Sequence, residues 1–311
     1  MTSSPKIAVL GSINMDLVIR CAKLPVPGET LLAESSSEVC GGKGANQAVA
    51  ANRAGGQVSM IGRVGDDAFA KRLVTNLENE GIDCSQVQVT EGCSSGVAIV
   101  TVEESGQNSI MVVSGANGKL SIEDVENARS TIESSDILLL QLEVPLETVL
   151  AAIQVAKGAG VKVILDPAPA PKDFPQELLH VDLICPNESE AEALTGIRVK
   201  TEEHAFAAAK ELQRQGAQTV AITMGEHGAL LLDQEGSQMI PSFPIKPIDT
   251  TAAGDAFAGA LGVYWAEGNP LKEATQFANA SGAIAASGPG AQPSMGSRED
   301  IEKRLTELAE N

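Results

Sequence analysis

Residues 249–255, with the sequence DTTAAGD, combine the residue types of a phosphate-binding helix start with those of an adjacent base. They follow Pro247, which favours a turn, and lead into the apolar residues 256–265, which we interpret as a buried helix. Small residues at a helix start leave several backbone N–H groups without partners, and the helix dipole is positive there. Such a terminus favours bound negative charge. We therefore regard this segment as a candidate phosphate cradle with Asp255 as a base beside it.

A second segment, residues 41–48, is rich in glycine and carries polar side chains suited to a polyol. Gly41 and Gly42 expose backbone N–H groups and permit a ligand to approach closely. Lys43 supplies positive charge, and Asn46 supplies both a donor and an acceptor in the first turn of the following helix. Two interpretations stay open here: a polyol site, or a tight strand-to-helix turn with an exposed lysine.

Asn14 and Asp16 follow the first apolar run of the chain, residues 6–11, which is typical of a buried strand. In open α/β sheets ligands bind at the carboxyl ends of the strands, where we expect these two side chains. A carboxylate can accept hydrogen bonds from two neighbouring sugar hydroxyls, which suits the binding of a polyol. A turn-forming pair of Asx residues is the alternative interpretation.

The elements that must position these residues alternate regularly from residue 136 onward, which indicates a mostly parallel sheet with helices on both faces. The predicted strands are residues 137–142, 162–165, 183–185 and 219–223, and the predicted helices are residues 146–157, 188–194 and 202–215. Upstream we predict a strand at residues 58–64 and helices at residues 44–54 and 67–80.

Residues 16–39 and 96–113 do not fit this alternation. We predict exposed strands at residues 16–21, 30–39, 96–102 and 108–113, with a hairpin connection at residues 103–107. We interpret these strands as a small β-sheet that projects from the main α/β domain and serves as a lid, a dimer surface or both. Ordinary edge strands of the main sheet are the alternative.

The composition suits one large domain, alone or with a smaller appendage. Of the 311 residues, 43% are hydrophobic and 20% are charged, as in ordinary globular proteins. The net charge of −19 argues against nucleic acid or an anionic membrane as a partner. An anionic substrate gains nothing from such an overall field, so a phosphate site must rely on local donors and a metal ion.

The cysteines, the histidines and the first residues narrow the class of protein further. The five cysteines are scattered without a Cys-x-x-Cys pair, and the three isolated histidines form no zinc-type cluster. No signal peptide or membrane-spanning run is apparent, so we expect a cytoplasmic protein. The chain has neither a Gly-x-x-x-x-Gly-Lys-Ser/Thr loop nor a Gly-x-Gly-x-x-Gly motif, so a nucleotide must bind through another arrangement.

Taken together, these segments closely resemble the ribokinase family of carbohydrate kinases. Residues 11–16, 41–50 and 249–255 carry the resemblance, which extends over nearly the whole chain and includes residues 166–170, 186–190 and 290–294. It implies a single ribokinase-like α/β domain over residues 1–311, with a central, mostly parallel sheet flanked by helices. It also implies a β-sheet lid at about residues 16–39 and 96–113, through which two subunits would form a homodimer.

The resemblance implies the ATP-dependent phosphorylation of D-ribose at its 5-hydroxyl, which gives D-ribose 5-phosphate. Asp255 would be the general base for the attacking hydroxyl, and the backbone N–H groups of Ala252, Ala253 and Gly254 would form the anion hole. Ribose would contact Asn14, Asp16, Gly42, Lys43, Asn46, Glu143 and Asp255.

The resemblance also implies ATP, Mg²⁺ and a monovalent cation, usually K⁺. ATP would contact Asn187, Glu190, Thr223, Gly225, Glu226, His227, Gly228, Gly254 and Asn279, and Glu190 would be linked to Mg²⁺ through water. An N-terminal helix cap is the alternative role for Asn187. The K⁺ ligands would be Asp249, Thr251, Ala285, Gly288, Gly290 and Ser294, mostly through backbone carbonyls. Residues 287–290, a Gly/Pro turn, depart from relatives that carry more basic residues there.

Two other functions stay open beside this one. The first is a kinase for 2-deoxyribose or another sugar, and the second, from a different class, is a non-catalytic sugar-binding protein on the same fold. A site built around a 2-hydroxyl should lose affinity when that group is missing, so the contacts of Asn14 and Asp16 would distinguish the sugars. The presence of Asp255, the anion-hole residues and Lys43 argues against a silent protein.

Overall fold

The computed structural model describes residues 4–103 and 108–309 of the chain. The strands are β1 (Lys6–Leu10), β2 (Asn14–Cys21), β3 (Ser35–Gly41), β4 (Gln57–Gly65), β5 (Asp83–Thr90), β6 (Gly96–Glu103), β7 (Asn108–Val113), β8 (Ile137–Leu140), β9 (Lys162–Leu165), β10 (Leu183–Ile184), β11 (Thr219–Thr223), β12 (Ala229–Leu232) and β13 (Ser237–Ile240). Apart from Glu103, the hairpin connection predicted at residues 103–107 lies outside the described residues.

The helices are α1 (Lys43–Arg53), α2 (Ala68–Asn79), α3 (Ile122–Asn127), α4 (Arg129–Glu133), α5 (Leu146–Gly158), α6 (Glu188–Thr195), α7 (Glu202–Gln215), α8 (Ala253–Ala266), α9 (Leu271–Ala286) and α10 (Arg298–Ala309). Short 3₁₀ turns connect several of these elements. Within residues 4–103 and 108–309, no helix is both long and apolar enough to cross a membrane.

Nine strands form the main sheet in the order β13-β12-β11-β10-β9-β8-β1-β4-β5. Every neighbouring pair from β11 to β5 is parallel, and only β12 and β13 are added in antiparallel fashion. The predicted parallel α/β sheet is therefore confirmed. The prediction did not include β5, β12 and β13. In β5 exposed and half-buried side chains alternate irregularly, and in β12 four buried residues are too short a run to distinguish a strand from a helix segment.

Two apolar clusters hold helices to opposite faces of this sheet. In β1, Ile7 and Val9 belong to one cluster, which includes buried residues of α1, α8 and α9. Ala8 and Leu10 belong to the other, which includes buried residues of α3, α4, α5 and α7. Alternate residues of a strand point to opposite faces, so a wholly apolar strand needs cover on both sides. This cover fixes the strand ends relative to the helix starts.

A second sheet of four strands has the order β3-β2-β6-β7. β2 pairs with β6 in parallel, while β3 and β7 are antiparallel to their neighbours. The predicted separate small sheet is confirmed, and the alternative of edge strands in the main sheet is wrong. The predicted strand at residues 30–39 begins only at Ser35, because its partner strand β2 ends at Cys21 and the pairing stops at Arg20 and Ser35.

Candidate active site

The carboxyl ends of five parallel strands bring polar residues to one edge of the main sheet. Asn14 lies beyond β1, Glu143 beyond β8, Asp166 directly after β9, Asn187 beyond β10, and Thr223 ends β11. Parallel strands end at a common edge, so side chains that are far apart in sequence converge there. The structure thus brings the predicted residues Asn14, Glu143, Asn187 and Thr223 to the same edge, together with Asp166, which the sequence analysis missed.

The glycine-rich segment forms a tight turn into α1 at this edge. Gly42 has φ of 91°, and a Cβ atom there would lie 2.7 Å from the backbone nitrogen of Asn14 and 2.9 Å from the carbonyl oxygen of Ser12. Only glycine accommodates both this backbone conformation and this close approach. The predicted tight turn is therefore present. Lys43 is not an exposed lysine, however, since its Nζ lies 3.7 Å from Oδ2 of Asp166.

Lys43 is the cationic centre of a group of carboxylates. Burial acts to lower the pKa of Lys43, but Asp166, Asp255, Glu143 and Glu190 together raise it above its usual value. Burial also disfavours the charged form of Asp166 and raises the pKa of its carboxyl above its usual value, although Lys43 acts to lower it. The ammonium group therefore stays charged, and the site has a positive point next to several acceptors.

The start of α8 has an unusual backbone. Ala252, the residue before the helix, has φ of 62° and is the one non-glycine residue with positive φ in the described part of the chain. No side chain caps the helix, and the N–H of Ala253 donates to the carbonyl of Thr250 at 3.2 Å. The first-turn N–H groups of a helix have no acceptor within it, so this end remains a site for an anion.

A cavity of about 190 Å³ opens at this helix start. It is lined by Lys43, Asp166, Cys185, Asn187, Glu190, Thr223, Thr250, Ala252, Gly254, Asp255 and Phe257. Six of the predicted catalytic or nucleotide-contacting residues thus share one space: Asn187, Glu190, Thr223, Ala252, Gly254 and Asp255. A small, polar cavity next to an uncapped helix and a lysine can bind phosphate oxygens.

Asp255 is buried in α8 and accepts hydrogen bonds on both carboxylate oxygens. Asn46 Nδ2 donates to Oδ2 at 3.0 Å, and Gln47 Nε2 donates to Oδ1 at 3.2 Å. Gln47 Nε2 also lies 2.9 Å from Oδ2 of Asp166, and Gln141 Nε2 donates to Oε1 of Gln47 at 2.6 Å. The sequence analysis missed Gln47 and Gln141. The position of Gln47 beside Asn46, in the first turn of α1, was the only signal for it.

A larger cleft of about 500 Å³ lies between the small sheet and the loops at residues 247–251 and 289–291. Its lining includes Asp16, Arg20, Asp249, Thr250, Thr251 and Gly290. Burial, with the neighbouring Glu143 and Asp255, raises the pKa of Asp16 to about 7. An apolar-walled cleft with carboxylate acceptors can bind a polyhydroxylated ligand.

Asn14 and Glu143, two further predicted ribose contacts, do not line this cleft and already have protein partners. Asn14 is buried, and its Oδ1 accepts a hydrogen bond from Asn117 Nδ2 at 2.7 Å. Oε2 of Glu143 accepts hydrogen bonds from Oγ of Ser12 and from the backbone nitrogen of Lys43. These bonds fix the two side chains, so any ligand would meet preoriented groups.

Four of the six predicted cation ligands, Asp249, Thr251, Gly290 and Ser294, are linked to one another by hydrogen bonds. Asp249 Oδ1 and Oδ2 accept hydrogen bonds from the N–H groups of Thr251 and Gly290, and the Asp249 N–H donates to the carbonyl of Ala286 at the end of α9. Ser294 Oγ donates to the carbonyl of Gly290 at 2.7 Å. Burial acts to raise the pKa of Asp249, but these backbone donors hold it below its usual value. An ionised carboxylate among carbonyls is a donor set that fits a hard cation.

Asn187 is the N-cap of α6, as the alternative interpretation holds. Its Oδ1 accepts from the N–H of Glu190 at 2.9 Å, and Glu190 Oε2 accepts from the N–H of Asn187 at 2.8 Å, which forms a capping box. Both residues also line the cavity beside Asp255. Among residues 4–103 and 108–309, no group of three or more His, Cys, Asp or Glu side chains could hold a metal ion.

The remaining predicted nucleotide residues lie farther from this cavity. Gly225, Glu226 and His227 form an exposed 3₁₀ turn after β11, followed by Gly228. His227 lines a separate depression of about 390 Å³ with Met224, Met239 and Pro241 among others. Asn279 Nδ2 donates to the carbonyls of Ile240 and Pro241, so its amide nitrogen already supports β13. The structure does not bring these residues to Asp255.

Comparison with known proteins decides the family. Residues 4–298 match the model of the pfkB family carbohydrate kinases. The chain belongs to the pfkB family.

This pfkB family member is similar to the ribokinase of Haemophilus influenzae, with 42% identity over 294 residues that cover 94% of this chain and 96% of the relative. It is also similar to the deoxyribokinase of Salmonella typhi, with 40% identity over 301 residues that cover 96% and 98%. A solved structure of Arabidopsis thaliana ribokinase, complexed with ribose and ATP, superimposes with a TM-score of 0.91 at 32% identity and covers 97% and 99% of the two chains. The ribokinase-like resemblance is confirmed, and the protein is a carbohydrate kinase.

Proposed function

We propose that this pfkB family kinase transfers the γ-phosphoryl group of ATP to the 5-hydroxyl of D-ribose. One observation carries the proposal: segment 249–255 lies between the two spaces. Its first residues, 249–251, line the large cleft, its later residues Ala252, Gly254 and Asp255 line the small cavity, and Thr250 belongs to both linings. A sugar in the cleft and a triphosphate in the cavity would therefore meet at this segment. The similarity to the Haemophilus influenzae ribokinase and to the Arabidopsis thaliana ribokinase complex supports ribose and ATP as the substrates.

In the proposed reaction, the 5-hydroxyl oxygen forms a bond to the γ-phosphorus while the bond to the β,γ-bridging oxygen breaks, and ADP leaves. Asp255 accepts the hydroxyl proton, late in a transfer that depends mainly on positioning and charge stabilisation. Backbone N–H groups at the start of α8, from Ala252 and Gly254, and the ammonium of Lys43 stabilise charge on the transferred group. The N–H of Ala253, the third predicted member of the anion hole, donates to the carbonyl of Thr250 in this structure.

The proposed ribose site lies between the small sheet and the start of α1. Asp16 and Glu143 supply acceptors, and the turn at Gly42 permits close approach of the sugar to the backbone. Asn14, Lys43 and Asn46 are the other side chains of the proposed ribose site. In this proposal the small sheet is the lid of a single domain over residues 1–311, because β2 both belongs to that sheet and carries Asp16 into the cleft.

Mg²⁺ and K⁺ fit the residues present at their proposed sites. Glu190 and Asn187 would hold Mg²⁺ through water near the phosphates, where the metal neutralises developing negative charge. Asp249 and carbonyl groups at Ala285, Gly288 and Gly290, with Thr251 and Ser294, would hold K⁺ beside the anion hole. Gly225, Glu226, His227, Gly228 and Asn279 would contact the nucleotide at a distance from the reacting phosphate.

The small sheet also supports a homodimer. Ile110, Met111, Val112 and Val113 of β7 are between 48% and 61% exposed, which is unusual for four consecutive apolar residues. We propose that a second copy of the chain covers this sheet. A purely monomeric protein in light-scattering measurements at micromolar concentration would contradict this.

A kinase for 2-deoxyribose is the second candidate, favoured by the 40% identity to the Salmonella typhi deoxyribokinase. The two functions differ in whether the site forms hydrogen bonds to the 2-hydroxyl of the sugar. Hydrogen-bonding sites for a hydroxyl discriminate strongly against its absence, because buried polar groups of the protein lose their partner. A comparison of kcat/KM for the two sugars therefore separates them.

The test is an ADP-release assay with D-ribose, 2-deoxy-D-ribose, fructose and adenosine, in which NMR locates the phosphate on the product. We expect ribose to be the best substrate and the phosphate to be on C5. Asp255→Asn should lower kcat by about 10²–10⁴-fold with ribose binding retained. Asp173→Asn, at an exposed aspartate, is the matched control. Turnover of another sugar in preference to ribose would contradict the substrate, and near-normal turnover of Asp255→Asn would contradict the base.

A further inference from the structure

A row of side-chain amides leads from α2 to the carboxylate of Asp255. Asn76 Nδ2 donates to Oε1 of Gln292 at 2.8 Å, Gln292 Nε2 donates to Oδ1 of Asn46 at 3.1 Å, and Asn46 Nδ2 donates to Oδ2 of Asp255 at 3.0 Å. Asn46, Gln292 and Asp255 are each no more than 5% exposed. Water therefore has little access to these bonds, and each group depends on its neighbour.

The carboxylate of Asp255, at one end of the row, determines which way each side-chain amide points. An ionised carboxylate only accepts hydrogen bonds, so Asn46 must turn its nitrogen toward Asp255 and its oxygen toward Gln292. Gln292 must then turn its nitrogen toward Asn46 and its oxygen toward Asn76. The orientation of each amide thus follows from the chemistry of its partners. Aligned bonds of this kind polarise one another.

Gln292 is well held in this position. Its carbonyl oxygen accepts a hydrogen bond from Nη1 of Arg53 at 2.7 Å, and the same nitrogen lies 2.8 Å from the carbonyl of Met295. Arg53 and Asn46 both belong to α1 and are seven residues, about two helical turns, apart on one face. Gln292 therefore contacts α1 at two points, through its backbone and through its side chain.

We propose that Gln292 is a positioning residue that holds the Asn46 amide with its nitrogen toward Asp255. By occupying the oxygen of Asn46, Gln292 prevents the amide from turning over and presenting that oxygen to the carboxylate. Asn46 consequently serves as a donor only, both to Asp255 and, with its second N–H, toward the sugar site. The catalytic consequence rests on the proposed function, in which Asp255 is the base and Asn46 contacts ribose.

The decisive variant is Gln292→Glu, which keeps the shape of the side chain and its acceptor toward Asn76. The introduced carboxylate would face the oxygen of Asn46, so the Asn46 amide must either tolerate the repulsion or turn its oxygen toward Asp255. We expect kcat/KM for ribose to fall by about 30-fold or more at pH 8, because the interaction energy of a charged hydrogen-bonding group is larger than that of a neutral one. Gln292→Met, which removes both bonds, should cost about 3- to 10-fold.

Two features distinguish positioning from a general structural defect. The loss in Gln292→Glu should shrink as the pH falls toward 6, because a protonated carboxyl can again donate to Asn46. In an Asn46→Ala background, Gln292→Glu should cost less than about 3-fold, since the residue through which it acts is gone. Gln218→Glu, at an exposed glutamine far from Asp255, controls for the added charge and should stay within about 2-fold of the parent chain.

A spectroscopic measurement tests the proposal independently of turnover. The side-chain NH₂ signals of Asn46 are assigned in ¹⁵N spectra by their loss in Asn46→Ala, and we expect them to shift and to exchange faster with solvent in Gln292→Met. Unchanged signals would overturn the proposal, as would a Gln292→Glu variant within 3-fold of the parent chain or an equal loss in the Asn46→Ala background. If the parent chain phosphorylates no pentose, the proposed function fails, while the NMR result still decides the role of Gln292.

Discussion

At the scale of single residues, the site is a balance of carboxylates against one lysine. Asp16, Glu143, Asp166, Glu190 and Asp255 interact electrostatically around the same space, and Lys43 is the cation among them. A protein with a net charge of −19 does not attract an anion at long range, so phosphate binding at the proposed site would depend on local groups such as this lysine and the helix N–H groups. Such a concentration of like charge costs stability, and proteins accept that cost where function requires it.

Asp16 gives a prediction for pH dependence at this scale. Its pKa in the folded protein is about 7, above the ordinary aspartate value of 3.8, so between these values the folded chain binds a proton that the unfolded chain releases. The stability contribution of Asp16 is therefore greatest below about pH 4 and is lost as the pH rises toward 7, by about 4 kcal/mol at most. Asp16→Asn should remove this decline and be more stable than the parent chain at pH 8, while it binds ribose more weakly.

Urea unfolding of both chains at several pH values between 4 and 8 measures this effect. Asp173→Asn removes an exposed carboxylate and should leave the pH dependence unchanged. If Asp16→Asn and the parent chain lose stability in parallel as the pH rises, Asp16 is not the group responsible.

At the scale of elements, two helix starts form the site, and each has a backbone conformation that suits its position. α1 begins after Gly42, which has a positive φ of 91°, and α8 begins after Ala252, which is in the left-handed helical region. Residues in such conformations are held there by their surroundings and cluster at functional sites. α1 supplies Lys43, Asn46 and Gln47, and α8 supplies Asp255, so the packing of α1 against α8 brings the proposed base together with the lysine and the two amides.

Gly42→Ala is the prediction for this scale. A Cβ atom would lie 2.7 Å from the nitrogen of Asn14, and both neighbouring contacts are backbone atoms that cannot turn away. We expect a loss of about 2–4 kcal/mol in the free energy of unfolding and a large increase in the KM for ribose. Gly158→Ala, near the end of α5 with nothing within 4 Å of the added atom, should be neutral or slightly stabilising. A Gly42→Ala protein as stable as the parent would contradict the steric argument.

At the scale of the whole molecule, the proposed cation site exists only because three distant segments meet. Residues 249–251 precede α8, Ala285 lies in the last turn of α9, and Gly288, Gly290 and Ser294 belong to the turn before α10. The same turn carries Gln292, whose side chain reaches Asn46 across 246 positions of sequence. A change in this turn can therefore influence the base without contacting it.

Replacing K⁺ with a large organic cation at constant ionic strength tests this arrangement. We expect kcat/KM to fall by at least about 5-fold, the lower range of typical coupling between two sites. Asp249→Asn should reduce the response to K⁺, because it removes the one carboxylate of the donor set. Equal activity in K⁺, Cs⁺ and Na⁺ would contradict the cation site.

The sequence by itself determined the alternation of strands and helices, the separate small sheet and the polar residues at strand ends. It did so because local periodicity and glycine positions reflect burial and backbone conformation directly. The same logic extends to Asp166, which directly follows a correctly predicted strand. The antiparallel strands β12 and β13 were not predicted, because a short apolar run carries no information about its partner.

Only the tertiary structure decided which of these polar residues act on each other. Gln47 lies 119 positions from Asp166 and 208 from Asp255, and no local pattern marks it as their common donor. Asn187 proved to be both a helix cap and part of the cavity lining, two roles that its sequence context could not separate. Segment 249–255 was recognisable as a helix start for phosphate, but its place between two cavities depends on how α8 packs against α1, which is a property of the whole core.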